Sequence, residues 1–135
     1  GATMSFEDLG ISLTIPEVLA QTEVTEENAA AGVFDCYALA DGSAYIMLGA
    51  NQMESDDAVN NLIATLQADA SYGDIGILVI NGISWLTYTQ AENNLLMFST
   101  NVGDILLTAY CSPANDEGFR STVLCTLGSL AAIAE

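Results

Sequence analysis

The chain has no lysine and no histidine, and Arg120 is its one basic side chain. Nucleic-acid binding needs several Lys or Arg groups to displace the counterions of the phosphates, and a single guanidinium does not supply that. Attraction to an anionic membrane surface fails for the same reason. Nucleophilic catalysis by Ser or Cys normally needs a neighbouring base such as His or Lys, and neither residue type occurs. No hydrophobic run reaches the roughly 20 residues of a membrane helix. Residues 121–134 are uncharged, but they are fewer and rich in small side chains. No signal peptide is seen. Gly1 reads as a tag remnant, so a targeting segment is expected to have preceded it.

Against the one arginine stand 18 carboxylates, for a net charge of −17 in 135 residues. Half of the residues, 51%, are nevertheless hydrophobic. That content separates the chain from disordered acidic segments, which combine high charge with few apolar residues. Its length fits one domain spanning residues 1–135. On the roughly 6,700 Å² such a chain exposes, the charges lie about 20 Å apart, beyond the Debye length of about 8 Å at physiological salt. Their repulsion is felt at low ionic strength, so salt is expected to stabilise the fold. Crowding raises carboxylate pKa values, so stability is also expected to grow as the pH falls from about 7 to about 5. A melting temperature unchanged between about 10 mM and about 300 mM salt would contradict the salt effect. A chain with one site for trypsin-like proteases suits an exterior environment, and a secreted or surface-anchored location is expected.

Along the chain, Ile11, Leu13 and Ile15 alternate with Ser12 and Thr14, which predicts a strand ended by Pro16. Residues 22–32 read as a loop or one helical turn. Residues 33–40 and 44–50 predict two strands, with Asp41 and Gly42 as the hairpin turn between them. Ser55 reads as an N-cap, with Asp56 and Asp57 in the first helical turn, where carboxylates meet the positive end of the helix. Val59, Leu62, Ile63, Leu66 and Ala70 then form one apolar stripe, ended by Tyr72 and Gly73. Residues 75–80 are a continuous apolar run, either a strand or a buried loop. Asn81 and Gly82 form a turn or bulge. Residues 83–90, 95–101 and 105–111 predict a three-strand meander, which Pro113 terminates. Asn115 or Asp116 opens a last helix whose core face is Phe119, Val123, Leu127 and Leu130. Its other face, with Ser121, Cys125, Gly128, Ser129 and Ala132, is small and uncharged. A loop or sheet edge would cover that face, or a second copy would pack there as a homodimer. The order predicts an α+β fold: a mainly antiparallel sheet of about six to seven strands with two principal helices packed on it, resembling an α/β/α sandwich.

Four segments carry a resemblance to a known group: GISLTIP at residues 10–16, the hairpin around Asp41 and Gly42, INGISWLTY at residues 80–88, and the closing helix. Together they span nearly the whole chain. The pattern is similar to the α/β/α sandwich of PsbP-type extrinsic photosystem proteins, the Ran-binding Mog-type proteins and many bacterial lipoprotein domains. Each segment is a packing and turn pattern, so the resemblance implies a fold and no active site. Members of that group act mostly as binding or assembly modules. The basic surfaces used on anionic partners do not carry over to this chain, and neither do the photosystem or Ran roles.

Residues 82–86 (GISWL) lack the final glycine of a nucleophile elbow. Cys36, Cys111 and Cys125 have no metal-ligand spacing. They read as buried structural thiols, or as one disulfide and a free thiol. As a redox thiol Cys36 would need nearby cations, and Asp35 beside it acts the opposite way. The acidic clusters at residues 54–57 and at Asp116 and Glu117 are candidates for Ca²⁺, which takes roughly six to eight oxygen ligands. Both coincide with helix starts, where acids are expected without a metal. Trp85, Tyr88, Phe98 and Tyr110 read as core aromatics, with a surface patch as the alternative. Arg120 reads as a partly buried structural ion pair with Asp116, four residues before it. The expected function is a non-catalytic extracytoplasmic binding or assembly module, with a protein partner and no cofactor. The alternatives are a small-ligand or calcium-binding protein and a carboxylate-based hydrolase, whose paired acids would stand roughly 5–10 Å apart.

Overall fold

The computed structural model describes residues 2–6, 10–30, 32–52, 58–92, 94–102, 105–112, 114 and 116–132. In chain order these form β1 (Ala2–Phe6), β2 (Ile11–Ile15), β3 (Leu19–Thr22), α1 (Glu26–Ala30), β4 (Val33–Leu39), β5 (Tyr45–Gln52) and α2 (Ala58–Ala68). There follow β6 (Tyr72–Ile80), β7 (Ile83–Gln90), β8 (Leu95–Val102), β9 (Ile105–Ser112), α3 (Glu117–Gly128) and β10 (Ala131–Ala132). The large sheet has seven strands in the order β3-β4-β5-β9-β8-β7-β6, and a small sheet has the order β1-β2-β10. Every pairing is antiparallel.

Turn chemistry sets the registers. At the β4–β5 hairpin Gly42 takes φ +72°, and Asp41 Oδ1 accepts hydrogen bonds from the Ser43 backbone N–H (2.9 Å) and hydroxyl (2.7 Å). Those bonds hold the Asp41 carboxyl below its ordinary pKa. At the β6–β7 hairpin Asn81 and Gly82 both have positive φ, +50° and +83°. This is the signature of a two-residue type I′ turn, whose twist matches that of the strands it joins. Helix α3 begins at Asp116, whose Oδ1 accepts from the Phe119 backbone N–H at 3.0 Å. The predicted cap of α2, Ser55 with Asp56 and Asp57, lies outside the described residues. That helix ends earlier than its apolar pattern predicts. Asp69 Oδ1 accepts from the Ser71 N–H (2.9 Å) and hydroxyl (2.7 Å), and this local turn competes with another helical turn. Tyr72 and Gly73 therefore open β6 instead of closing α2.

Alternation along the strands gives the large sheet two apolar faces. On one lie Ile46, Leu48, Trp85, Leu96, Phe98, Leu107, Ala109 and Cys111, covered by Phe119, Val123 and Leu127 of α3 and by Ile11, Leu13 and Ile15 of β2. On the other lie Leu86, Tyr88, Leu95 and Met97, covered by Leu62, Ile63 and Leu66 of α2. The result is the predicted α+β arrangement, with a helix on each side of an antiparallel sheet. β1, β3 and β10 were not legible as strands. β3 has four residues and β10 two, too few to show a period, and β1 exists by pairing with β2.

The route of the chain decides which strand ends the sheet. β5 is third from the β3 edge, α2 crosses one face, and β6 returns at the far edge. From there β6, β7, β8 and β9 step back by hairpins until β9 pairs with β5.

Candidate interaction surface

The residues singled out for chemistry are mostly absorbed by the fold. No disulfide forms among the three cysteines. Cys36 stands opposite Met47, which stands opposite Tyr110, so it points to the α2 side of the sheet. Cys111 stands opposite Ile46 and points to the α3 side. Burial pushes both thiols up, with Asp35 adding to the effect at Cys36, so neither is an activated nucleophile. Cys125, expected to be buried, is exposed on α3. Asp116 caps α3, as its position predicted. The 54–57 cluster lies outside the described residues. No group of three or more His, Cys, Asp or Glu side chains gathers among the described residues. Trp85 and Phe98 are fully buried on one face, and Tyr88 is buried on the other, as core aromatics. The Trp85 indole N–H has no partner among the described residues.

Arg120 corrects its expectation. It is exposed on α3, and no ion pair to it is seen among the described residues. It lies in the first turns of α3 on the face turned away from the sheet, so its side chain points to water beside the buried Phe119. Among the described residues, the uncharged back of α3 is covered at its C-terminal end. There Asn81 Nδ2 donates to the Gly128 carbonyl (2.9 Å), and the Thr14 N–H donates to Ser129 Oγ (2.7 Å). Ser121 and Cys125 stay open.

Two buried polar groups escaped the sequence reading. Asp35 is 4% exposed on β4 and accepts hydrogen bonds from Gln21 Nε2 (2.9 Å), the Cys36 N–H (3.1 Å) and the Tyr37 hydroxyl. Three neutral donors, and no cation, compensate its loss of water. The Tyr37 hydroxyl is pushed up by burial and by Asp35, so it stays a donor. On the other face Tyr88 Oη, Ser99 Oγ and Thr108 Oγ1 form a buried chain with both links at 2.9 Å, which ties β7, β8 and β9 together. Burial raises the Tyr88 hydroxyl, so this chain is neutral. Both groups are closed by their own partners and lie under packed side chains.

What remains open is the edge strand β6. Among the described residues the exposed large hydrophobic side chains are Val18 (58%), Ile77 (60%) and Val79 (62%). Ile77 and Val79 are neighbours on one face of β6, opposite Leu86 and Ser84 of β7. A two-residue turn makes its closing pair, Ile80 and Ile83, a hydrogen-bonded one. Bonded and non-bonded pairs alternate, so Ile77 and Val79 occupy the non-bonded positions. Their backbone N–H and C=O groups therefore point outward, away from β7. No strand pairs that side among the described residues. Sequence offered one signal for this surface, the uncharged stretch from residue 75 to residue 91. Such a run reads equally well as a strand buried in mid-sheet.

With the sheet order, the crossing helix and the covering helix in place, the comparison among solved structures is decisive for the fold. The chain is similar to the solution structure of cyanobacterial PsbP (CyanoP) from Synechocystis sp. PCC 6803, with a TM-score of 0.65 at 15% identity. The match covers 97% of this chain and 91% of that one. This chain has a PsbP-like fold. No protein-family model matches it, and no curated protein matches it in sequence. The PsbP-like fold accounts for the seven-stranded sheet with α2 on one face and α3 with β2 on the other.

Proposed function

We propose that this PsbP-like chain is a non-catalytic binding or assembly module that works outside the cytoplasm and engages another protein. One observation carries the reading: Ile77 and Val79 present apolar side chains and outward backbone groups together on a strand edge that is unpaired among the described residues. Native edges are normally blunted by charge, proline or shortness, and one that is not is a place where another chain pairs. The sequence holds no histidine or lysine to activate a nucleophile, which supports a role in binding. The exterior location is supported by the single Lys-or-Arg cleavage site, Arg120.

The test is site-specific photo-crosslinking in the cells of origin, with a photoreactive residue at position 77 in one variant and at position 20, on the opposite edge strand, in another. A protein adduct at 77 that is absent at 20 is the expected result. Equal or absent adducts at both positions would overturn the reading.

A further inference from the structure

We infer that the β6 edge takes one extended segment of a partner protein, paired antiparallel along residues 76–80, apolar at alternate positions and basic at its C-terminal end. The inference rests on the binding reading above and gives its partner a chemistry. The strand form follows from the edge. Gly73 and Gly76 flank an irregularity in the β6–β7 register, and within it Asp74 takes φ +49°. Such a bulge twists an edge away from further pairing, so the first half of β6 is protected. The second half has regular register from Gly76 to Ile80 and holds neither charge nor proline. Antiparallel pairing matches every other pair in the sheet and places alternate partner residues over Ile77 and Val79.

The charge of the partner follows from what surrounds that half-strand. Asp69, Asp74 and Glu92 stand at the end where β6 begins. Asp69 precedes β6 and its carbonyl accepts from the Tyr72 N–H (3.2 Å), Asp74 lies in the bulge, and Glu92 follows the β7 residue paired with Tyr72. No described cation accompanies them, and the whole chain carries −17. An antiparallel segment that starts near Ile80 ends beside these three carboxylates, so lysine or arginine at its C-terminal end meets opposite charge. A second copy of this chain brings only Arg120 and 18 more acids, so charge complementarity favours a basic partner over self-association.

The experiment uses the whole protein and fluorescent synthetic peptides of about eight residues. One alternates Val and Thr and ends in three lysines; a second ends in three glutamates; a third carries the lysines at its N-terminus. Fluorescence anisotropy is expected to show the first binding at least about tenfold more tightly than either other peptide, and weakening as salt rises from about 10 mM to about 300 mM. Val79→Pro removes only an outward N–H, which an edge strand tolerates, and is expected to abolish binding. Should that variant fail to fold, Val79→Lys serves instead, because it repels the basic peptide from the same edge. Equal affinity for the lysine- and glutamate-ended peptides, or binding unchanged in the folded variant, would overturn the inference. So would sedimentation of the wild type as a dimer that Val79→Lys dissociates, which assigns the edge to a second copy. A crosslink confined to position 77 alongside a failed peptide preference would remove the basic partner and leave the binding reading standing.

Discussion

At one end of the large sheet β3 is four residues long and runs between Glu17 and Glu23; at the other β6 is nine residues long and carries no charge after Asp74. β3 shows exposed Ala20, Gln21 and Thr22 to solvent and buries only Leu19. It is tied to β4 through a polar anchor, the Gln21 amide on the buried Asp35 carboxylate. β6 has its polar tie at its bulged start, where the Thr89 hydroxyl of β7 donates to the Gly73 carbonyl at 3.1 Å. It is held by the Asn81–Gly82 turn, by Leu78 and Ile80 against the α3-side core, and by Ile75 and Tyr72 against the α2 side. The Tyr72 and Tyr88 rings meet edge to face at 6.0 Å. One edge is thus short, polar and guarded by acids. The other is long and apolar, with protection at its bulged half alone. A sheet that guards one edge and leaves the other open has a direction in which it can be extended.

Variants at each edge sharpen this contrast, and the largest effect is expected at the polar anchor. Asp35→Ala leaves the Gln21 amide, the Cys36 N–H and the Tyr37 hydroxyl without their acceptor, at a cost of about 3 kcal/mol in urea denaturation. A loss below about 0.5 kcal/mol would show that the β3 edge is not held by that carboxylate. At the opposite edge Gly82→Val puts a β-branched residue at φ +83° and is expected to cost about 1–2 kcal/mol, read from thermal melting. Ile77→Thr with Val79→Thr keeps β propensity and is expected to change stability by about 0.5 kcal/mol or less while suppressing aggregation of the concentrated protein. A large destabilisation would mean that these side chains belong to the core of this chain and are not held out for a partner. Arg120→Met is expected to lie within about 0.5 kcal/mol of the parent, since its side chain points to solvent.

The smallest effect is the acid slope. Asp41 and Asp69 have folded pKa values below their ordinary ones, because Ser43 and Ser71 donate to the charged carboxylates. The unfolded chain takes up those protons first as the pH falls. Their contribution is therefore present above the ordinary Asp range and is lost as the pH drops through the lowered folded values. Melting curves below about pH 4 are expected to flatten in the Asp41→Asn, Asp69→Asn double variant. This window lies below the pH 5–7 range in which charge crowding is expected to act with the opposite sign, so a titration from neutral pH separates the two.

Much of the fold was legible in local chemistry. Alternation marked β2, the Asp41–Gly42 pair marked a hairpin, Asn81–Gly82 marked a turn or bulge, and Asp116 with the Phe119, Val123 and Leu127 spacing marked α3. These signals work because period and turn geometry are properties of neighbouring residues. Ser71 ended α2 through Asp69, a competition between a local turn and the helix that the apolar stripe does not report. Asp35 was read only as the neighbour of a cysteine. Its real partners, Gln21 and Tyr37, come from two strands, and a buried carboxylate with neutral donors has no signature in sequence. Arg120 was expected to be paired because it is alone, but its position on the open side of α3 leaves it in water. For the candidate surface, the composition of residues 75–80 was plain and its meaning was not.

By itself the sequence set the expectations about partners and reactions, because charge and catalytic groups are counted without coordinates. It also determined the α+β class, because periodicity is local. The tertiary structure alone decided that an apolar run suited to mid-sheet lies at the edge. That outcome depends on α2 carrying the chain across the sheet from β5 to β6, a long-range crossing whose end point is set by how the two faces pack. Local residues make β6 a strand, and only its placement leaves one side of that strand unpaired among the described residues.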